Sequence, residues 1–168
     1  TPKQPDKTAT WLALEEIRDP GNLGTIIRTA DATGIAGIVL AGTTCDPWSR
    51  ECVRATMGSI FAVPLVRMDH DGIRALLKGW PGDTVGTHLA GREDFRRQVY
   101  RAPALIVMGG EGPGLSEETA RACRSLPAGT ATREVSVWEY RGRAFRTTCR
   151  RDDRGERAVV CARTGPRN

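Results

Sequence analysis

The chain has 168 residues, 39% of them hydrophobic and 27% charged, with a net charge of +5 and five cysteines. That size suits one domain, or one domain plus a short tail, and buries roughly two-thirds of the unfolded surface, so neither disulfides nor a structural metal is needed. It lacks any apolar run near the ~18 residues of a membrane span, its polar start is no signal peptide, and an odd cysteine count without Cys-x-x-Cys argues against a disulfide framework or zinc site and for a reducing cytoplasm.

Residues 1–9 read as a flexible lead-in without an initiator Met, as a processed or truncated end would be. Trp11 to Ile17 has strand character, Asp19-Pro20-Gly21-Asn22 is turn chemistry, and Leu23 to Thr33 follows with apolar residues at helical spacing and Gly34 as its stop. Ile35 to Leu40 is a short apolar strand, Asp46 or Ser49 caps a helix running to Met57, and Ala62 to Val66 is a strand with Pro64 near its edge or end. Asp69 or Asp71 caps a helix to Lys78, with His70 at its start. Strands follow at Thr84 to Thr87 and Ala104 to Met108, then a glycine-rich loop from Gly109 to Gly114 and a helix from Ser116 to Arg124. Strands alternating with helices imply an α/β domain with a parallel sheet and helices on both faces. Ala104 to Met108, apolar without alternation, suits a central strand.

Past Leu126 the pattern breaks. Residues 133–168 carry ten arginines against five acids, while the earlier residues balance. Glu134 to Val137 and Ala158 to Cys161 have strand character, so this region is either a separate β-hairpin or an unstructured tail. It is either a patch attracting phosphate backbones or simply solvated.

Two constellations suggest chemistry. In the first, the turn at Asp19–Asn22 delivers a helix at the carboxyl end of a strand, where open α/β sheets bind ligands. Arg28 lies among apolar neighbours there. It needs an acid, a phosphate or a cleft, or it snorkels to solvent or pairs with Glu15 or Glu16. In the second, Met108-Gly109-Gly110-Glu111-Gly112-Pro113-Gly114-Leu115-Ser116 places four glycines between a buried strand and a helix. Glycine permits close backbone approach to a ligand, or the loop is only a tight structural turn. Its spacing fits neither a P-loop nor the dinucleotide fingerprint, because Gly-Lys-Ser/Thr is missing and it lies late in the chain. Arg54, in Val53-Arg54-Ala55-Thr56-Met57-Gly58, contacts phosphate or stays solvated. His70 and His88 share no metal-ligand spacing, and no metal site is expected.

Together these residues resemble the SpoU-type (TrmH-like) branch of the SPOUT superfamily of RNA 2′-O-ribose methyltransferases, from about Leu12 to Leu126. Asn22, Gly24 and Arg28 match the family's first motif, Val53 to Gly58 with Pro64 a middle signature, and Gly109 to Leu115 its Gly-x-Glu-Gly-x-Gly-Leu loop. The resemblance implies a C-terminal trefoil knot, an exception to the rule against threading. It implies S-adenosyl-L-methionine as cofactor, held by Thr87, Gly109, Gly110, Gly112, Gly114, Leu115, Leu126 and Pro127. It implies a homodimer where the C-terminal helix is present. Asn22, Arg28 and Glu111 would be catalytic, with Arg28 and Arg54 binding tRNA or rRNA. A methyltransferase domain over 10–132 and a divergent Arg-rich tail over 133–168 follow.

Two departures stand out. Many members of the family carry an RNA-binding domain ahead of this one, whereas only about ten residues precede the first strand here, so RNA selection is expected from this domain, its dimer or a missing segment. The third motif, Ser-Leu-Asn-Val-Ser-Val-Ala followed by an apolar helix, is reduced to Val135-Ser136-Val137, and Glu134 stands where Asn is expected. A frameshifted or degenerate gene end would give this break and leave the knot incomplete. The alternatives are therefore a catalytically impaired remnant that at most binds RNA, and, on the glycine loop alone, an unrelated nucleotide-binding α/β protein.

Overall fold

The structure is a computed structural model that describes residues 9–87, 93–94, 101–110, 114–128, 136–140, 143–151 and 157–164. Residues 1–8 of the 1–9 lead-in, His88, Glu111 and Gly112 lie outside the described residues.

The first strand, β1 (Thr10–Glu15), is followed by α1 (Pro20–Thr33), β2 (Gly37–Ala41), α2 (Arg50–Thr56), β3 (Leu65–Met68), α3 (His70–Gly79) and β4 (Thr84–Gly86). A two-residue β5 (Glu93–Asp94), β6 (Ala104–Gly109), α4 (Glu117–Ala122) and β7 (Pro127–Ala128) complete this part. Five strands form one sheet in the order β3-β2-β1-β6-β4, and every pairing in it is parallel. The expected parallel α/β sheet is therefore present. The chain builds outward from β1 through β2 to β3 and then returns to the other side of β1, so the strand order reverses between β1 and β6. That reversal point is where open α/β sheets place their ligand crevice, at the carboxyl ends of the strands.

Alternating side chains sort onto two faces, as the period of two in a strand requires. Leu12 and Leu14 of β1 and Ile38 and Leu40 of β2 cluster with Leu23, Ile27 and Ala30 of α1 and Cys52 of α2. Ala13, Val39 and Ala41 point the other way, joining Leu105 and Val107 of β6, Ile73 and Leu77 of α3 and Ala120 of α4. Helices therefore cover both faces. Each fully buried Leu or Ile contributes about 1.5–3 kcal/mol.

Local chemistry explains the helix ends. Asp19 is the N-cap of α1, its Oδ1 accepting from the Asn22 amide at 2.6 Å, and Pro20 occupies the first helical position. Residues 19–22, read as a turn, are thus the cap and first turn of the helix, because proline's fixed φ suits that position and its missing N–H costs nothing there. Gly34 ends α1 at φ 71°, as expected. Ser49, rather than Asp46, caps α2, and Asp69, rather than Asp71, caps α3. Residues Ser59–Phe61 form a 3-10 turn, which delays β3 to Leu65, beyond Pro64. Helix α4 stops at Ala122, two residues early, because Arg124 turns to the sheet: its amide donates to Thr84 Oγ1 at 2.8 Å and its guanidinium to the carbonyls of Gly82 and Trp80.

The tail contains a three-stranded antiparallel sheet in the order β10-β9-β8, with β8 (Ser136–Tyr140), β9 (Arg143–Arg151) and β10 (Arg157–Thr164). The expectation of a hairpin or an unstructured tail is corrected: the arginine-rich stretch between the two anticipated strands is itself the middle strand.

Gly24 sets how closely α1 and α2 approach. A Cβ there would lie 2.5 Å from Ala55 Cβ and 2.8 Å from the Cys52 carbonyl oxygen. Gly24→Ala is expected to lower unfolding free energy by about 1–3 kcal/mol through overpacking, despite alanine's better helix propensity. Urea titration followed by circular dichroism measures this; an unchanged or higher midpoint would show that the helices separate without cost.

Candidate active site

The site is organised by the register of β1 on β6. Leu14 stands opposite Met108 and Glu15 opposite Gly109, so both strands end at the same level. The chain leaving β1 runs through Asp19 into the helix that carries Asn22 and Arg28. The chain leaving β6 runs into the glycine loop. The two stretches read from the sequence thus spring from adjacent strand ends.

The loop's described ends are held tightly. A Cβ on Gly109 would lie 2.0 Å from the Gly114 carbonyl carbon and 2.2 Å from the Leu115 amide nitrogen, and one on Gly110 would lie 2.5 Å from the Glu16 carbonyl oxygen. These two glycines are required by contact with the protein's own backbone. Gly114 differs: it has φ 72° and faces open space. The Gly114 amide donates to the Gly110 carbonyl at 3.1 Å, closing the loop.

On the neighbouring strand, the Thr87 amide donates to the Val107 carbonyl at 2.9 Å. Leu115 is buried, and its side chain and those of Leu126 and Cys123 crowd Gly86, whose Cβ would lie 2.8–3.1 Å from them. Ser125, which precedes Leu126, has a buried Oγ without a hydrogen-bond partner among the described residues. Pro127 lies on β7, which pairs with β5. The structure thus brings Thr87, Gly109, Gly110, Gly114, Leu115 and Leu126 to one end of the sheet.

Arg28 is exposed on α1, and Arg54 is exposed on α2. Neither forms an ion pair among the described residues. Pairing of Arg28 with Glu15 or Glu16 is corrected, because both acids are engaged elsewhere. Glu16, in a left-handed conformation at φ 58°, accepts from the Thr43 amide at 2.9 Å and from Arg18 Nη2 at 3.1 Å. The Thr43 N–H first, and Arg18 second, hold its carboxyl below the usual glutamate value. Glu15 is buried, and its oxygens accept from the Ser116 amide (2.8 Å), Ser116 Oγ (2.8 Å) and Thr119 Oγ1 (2.6 Å). His70 spans the two acids, with Nδ1 3.4 Å from Glu15 and Nε2 3.2 Å from Glu16. The sequence reading noticed Glu15 only as a partner for Arg28. The available signal was an acid closing an otherwise apolar central strand.

Desolvation disfavours the thiolate at buried Cys52 and half-buried Cys123. Burial pushes Cys52 up to about 11, with smaller contributions from neighbouring charges, and Cys123 up to about 12, with the charge of Glu15 adding to burial.

This is an α/β fold whose strand order reverses between β1 and β6, with a capped helix and the described start of a glycine loop leaving the neighbouring strand ends there. Residues 9–128 match the family described as the SpoU rRNA Methylase family, and the chain belongs to it. It is 34% identical over 104 residues to the 23S rRNA (guanosine(2553)-2′-O)-methyltransferase of Bacillus subtilis, covering 62% of this chain and 42% of that protein. It is 37% identical over 123 residues to the 23S rRNA (uridine(2479)-2′-O)-methyltransferase of Streptomyces viridochromogenes, covering 67% and 43%. Among solved structures, the AdoMet-bound rRNA methyltransferase of Sinorhizobium meliloti superposes with a TM-score of 0.71 at 47% identity, covering 77% of this chain and 51% of that one. The chain spans about half the length of the curated relatives it matches.

Thiolate is the reactive form of cysteine. With values near 11 and 12, only about one in a thousand Cys52 thiols, and fewer at Cys123, are ionised at pH 8. Iodoacetamide at pH 8 is expected to spare both in the native protein and to label both in urea, as read by peptide mass spectrometry. Rapid native labelling of either would show that its burial is transient.

Proposed function

We propose that this chain is the catalytic domain of an S-adenosylmethionine-dependent methyltransferase that modifies a ribose 2′-hydroxyl of tRNA or rRNA. The observation that carries the reading is the parallel register of β1 on β6, which puts the Asn22–Arg28 helix and the Gly109–Leu115 loop at neighbouring strand ends. Family membership and the names of the relatives support it. Within that reading, residues 10–132 form the methyltransferase domain and 133–168 a divergent tail. The protein acts in the cytoplasm, and it dimerises and carries the trefoil knot where the family's C-terminal helix is complete. No helix among the described residues is long and apolar enough to cross a membrane.

The residues fit the cofactor. Among the described residues, Gly114 leaves open space where a Cβ would point, the half-buried Leu126 offers apolar surface, and Ser125 Oγ, without a partner there, offers a polar contact. Thr87, Gly109, Gly110, Gly112, Gly114, Leu115, Leu126 and Pro127 are assigned to holding it. When bound, S-adenosylmethionine supplies an electrophilic methyl group on a sulfonium.

Arg28 is the main catalytic assignment. A guanidinium stays protonated in proteins, so it is unsuited to removing the hydroxyl proton. Exposed and without an acid partner, it is suited to gripping the RNA phosphate and stabilising negative charge developing on the ribose oxygen. Arg54 adds a second phosphate contact, and Asn22 and Glu111 complete the assigned set. Holding hydroxyl and methyl carbon in line supplies much of the remaining rate.

Calorimetric titration of S-adenosylhomocysteine into the purified chain is expected to give saturable heat. No heat at high micromolar ligand would favour the rival reading, a remnant that at most binds RNA. Arg28→Ala, at an exposed helix position, is expected to leave the circular dichroism spectrum unchanged while lowering methyl transfer to RNA by about a hundredfold or more, the scale of losing one transition-state charge contact. Wild-type rates in that variant would remove Arg28 from the mechanism.

A further inference from the structure

The acid at the end of β1 has no place in the mechanism above, yet it is the most heavily hydrogen-bonded side chain at this end of the sheet. Glu15 is 1% exposed. A buried carboxyl group is tolerated only where donors replace its water, and here three come from two residues. One oxygen takes the Ser116 amide, and the other takes Ser116 Oγ and Thr119 Oγ1. Ser116 is also the N-cap of α4, its Oγ accepting from the Thr119 amide at 3.2 Å. The same acid thus orients the cap and the residue after it.

The placement gives this network a consequence for the glycine loop. Gly109, where the loop begins, is the register partner of Glu15. Ser116, immediately after Leu115, is where the loop ends. A single side chain on β1 therefore ties down the far end of a loop whose near end leaves the adjacent strand. The next residue of β1's exit, Glu16, receives the close backbone approach of Gly110.

We infer that Glu15 is a positioning residue for the methyl-donor pocket, holding Leu115 and Ser116 against the end of β1 and so fixing them relative to Gly109, Gly110 and Gly114. The inference rests on the function proposed above. A glutamine is nearly isosteric but replaces one acceptor oxygen with an NH2 donor, which then faces an N–H or O–H group. Aspartate is one methylene short of the Ser116 amide.

The test compares wild type, Glu15→Gln, Ser116→Ala and the double variant at a temperature where circular dichroism shows all four folded. S-adenosylhomocysteine affinity is read by calorimetry, and amide exchange at Leu115 and Ser116 by mass spectrometry. Glu15→Gln is expected to weaken the ligand roughly ten- to a hundredfold, the range given by losing a hydrogen bond to a charged group. It should speed exchange at both amides and leave RNA affinity within about twofold. The double variant should bind no more weakly than Glu15→Gln alone, because both changes break the same link. A lowered melting temperature with unchanged ligand affinity and exchange would overturn the inference and leave Glu15 a purely stabilising group. Additive losses would also overturn it. If wild type gives no heat, the cofactor reading fails and Glu15's role in the pocket falls with it, while the exchange data still decide whether the acid pins the loop. Should Glu15→Gln not fold, Ser116→Ala combined with Thr119→Val removes two of the three donors and carries the same expectations.

Discussion

The parallel pairing of β1 with β6 is the contact on which the rest of the molecule depends. It joins Thr10 to Ala104 and Glu15 to Gly109, bringing together segments far apart in sequence. Parallel neighbours require a crossover connection, and here that connection contains three other strands of the sheet and three helices. Because β1 lies in the middle of the five strands, the pairing also sets where the strand order reverses. The segments leading to Asn22–Arg28 and into the glycine loop both leave the sheet at that reversal. A slip of one residue would send Leu105 and Val107 to the wrong face of the sheet, so the two apolar clusters guard the register that aligns the site.

Polar groups at the strand ends divide between those turned inward and those turned outward. Glu15 and Glu16 are occupied by Ser116, Thr119, Thr43, Arg18 and His70. Arg28 on α1 and Arg54 on α2 are exposed and form no ion pair among the described residues.

The glycine loop was legible as a motif but not in its physical cause. Its glycines looked like a means of approaching a ligand, yet Gly109 and Gly110 are demanded by the backbone of Gly114, Leu115 and Glu16, while Gly114 has open space beside it among the described residues. In the same way Gly24, read as part of the Asn22–Arg28 motif, is the point where α1 meets α2. Gly24, Gly109 and Gly110 lie beside residues assigned to chemistry, and each is also required by close packing against neighbouring atoms of the protein. In the tail, the absence of a core-facing period concealed β9, because antiparallel ribbons need only backbone pairing and tolerate arginines on both sides.

What the sequence by itself determined is everything decided within a few residues. The caps at Asp19, Ser49, Asp69 and Ser116 act on amides three positions ahead, Gly34 stops α1 by its own φ, and strand and helix periods are local. These made the α/β class, the helices on both faces and the motif positions readable. Only the tertiary structure decided that Ser49 and Asp69, of two candidates each, do the capping, that β1 sits between β2 and β6, and that Glu15 meets Ser116 rather than Arg28. The last contact spans 101 positions of chain. No local propensity specifies such a partner, because it exists only once strand order and register have placed the two residues side by side.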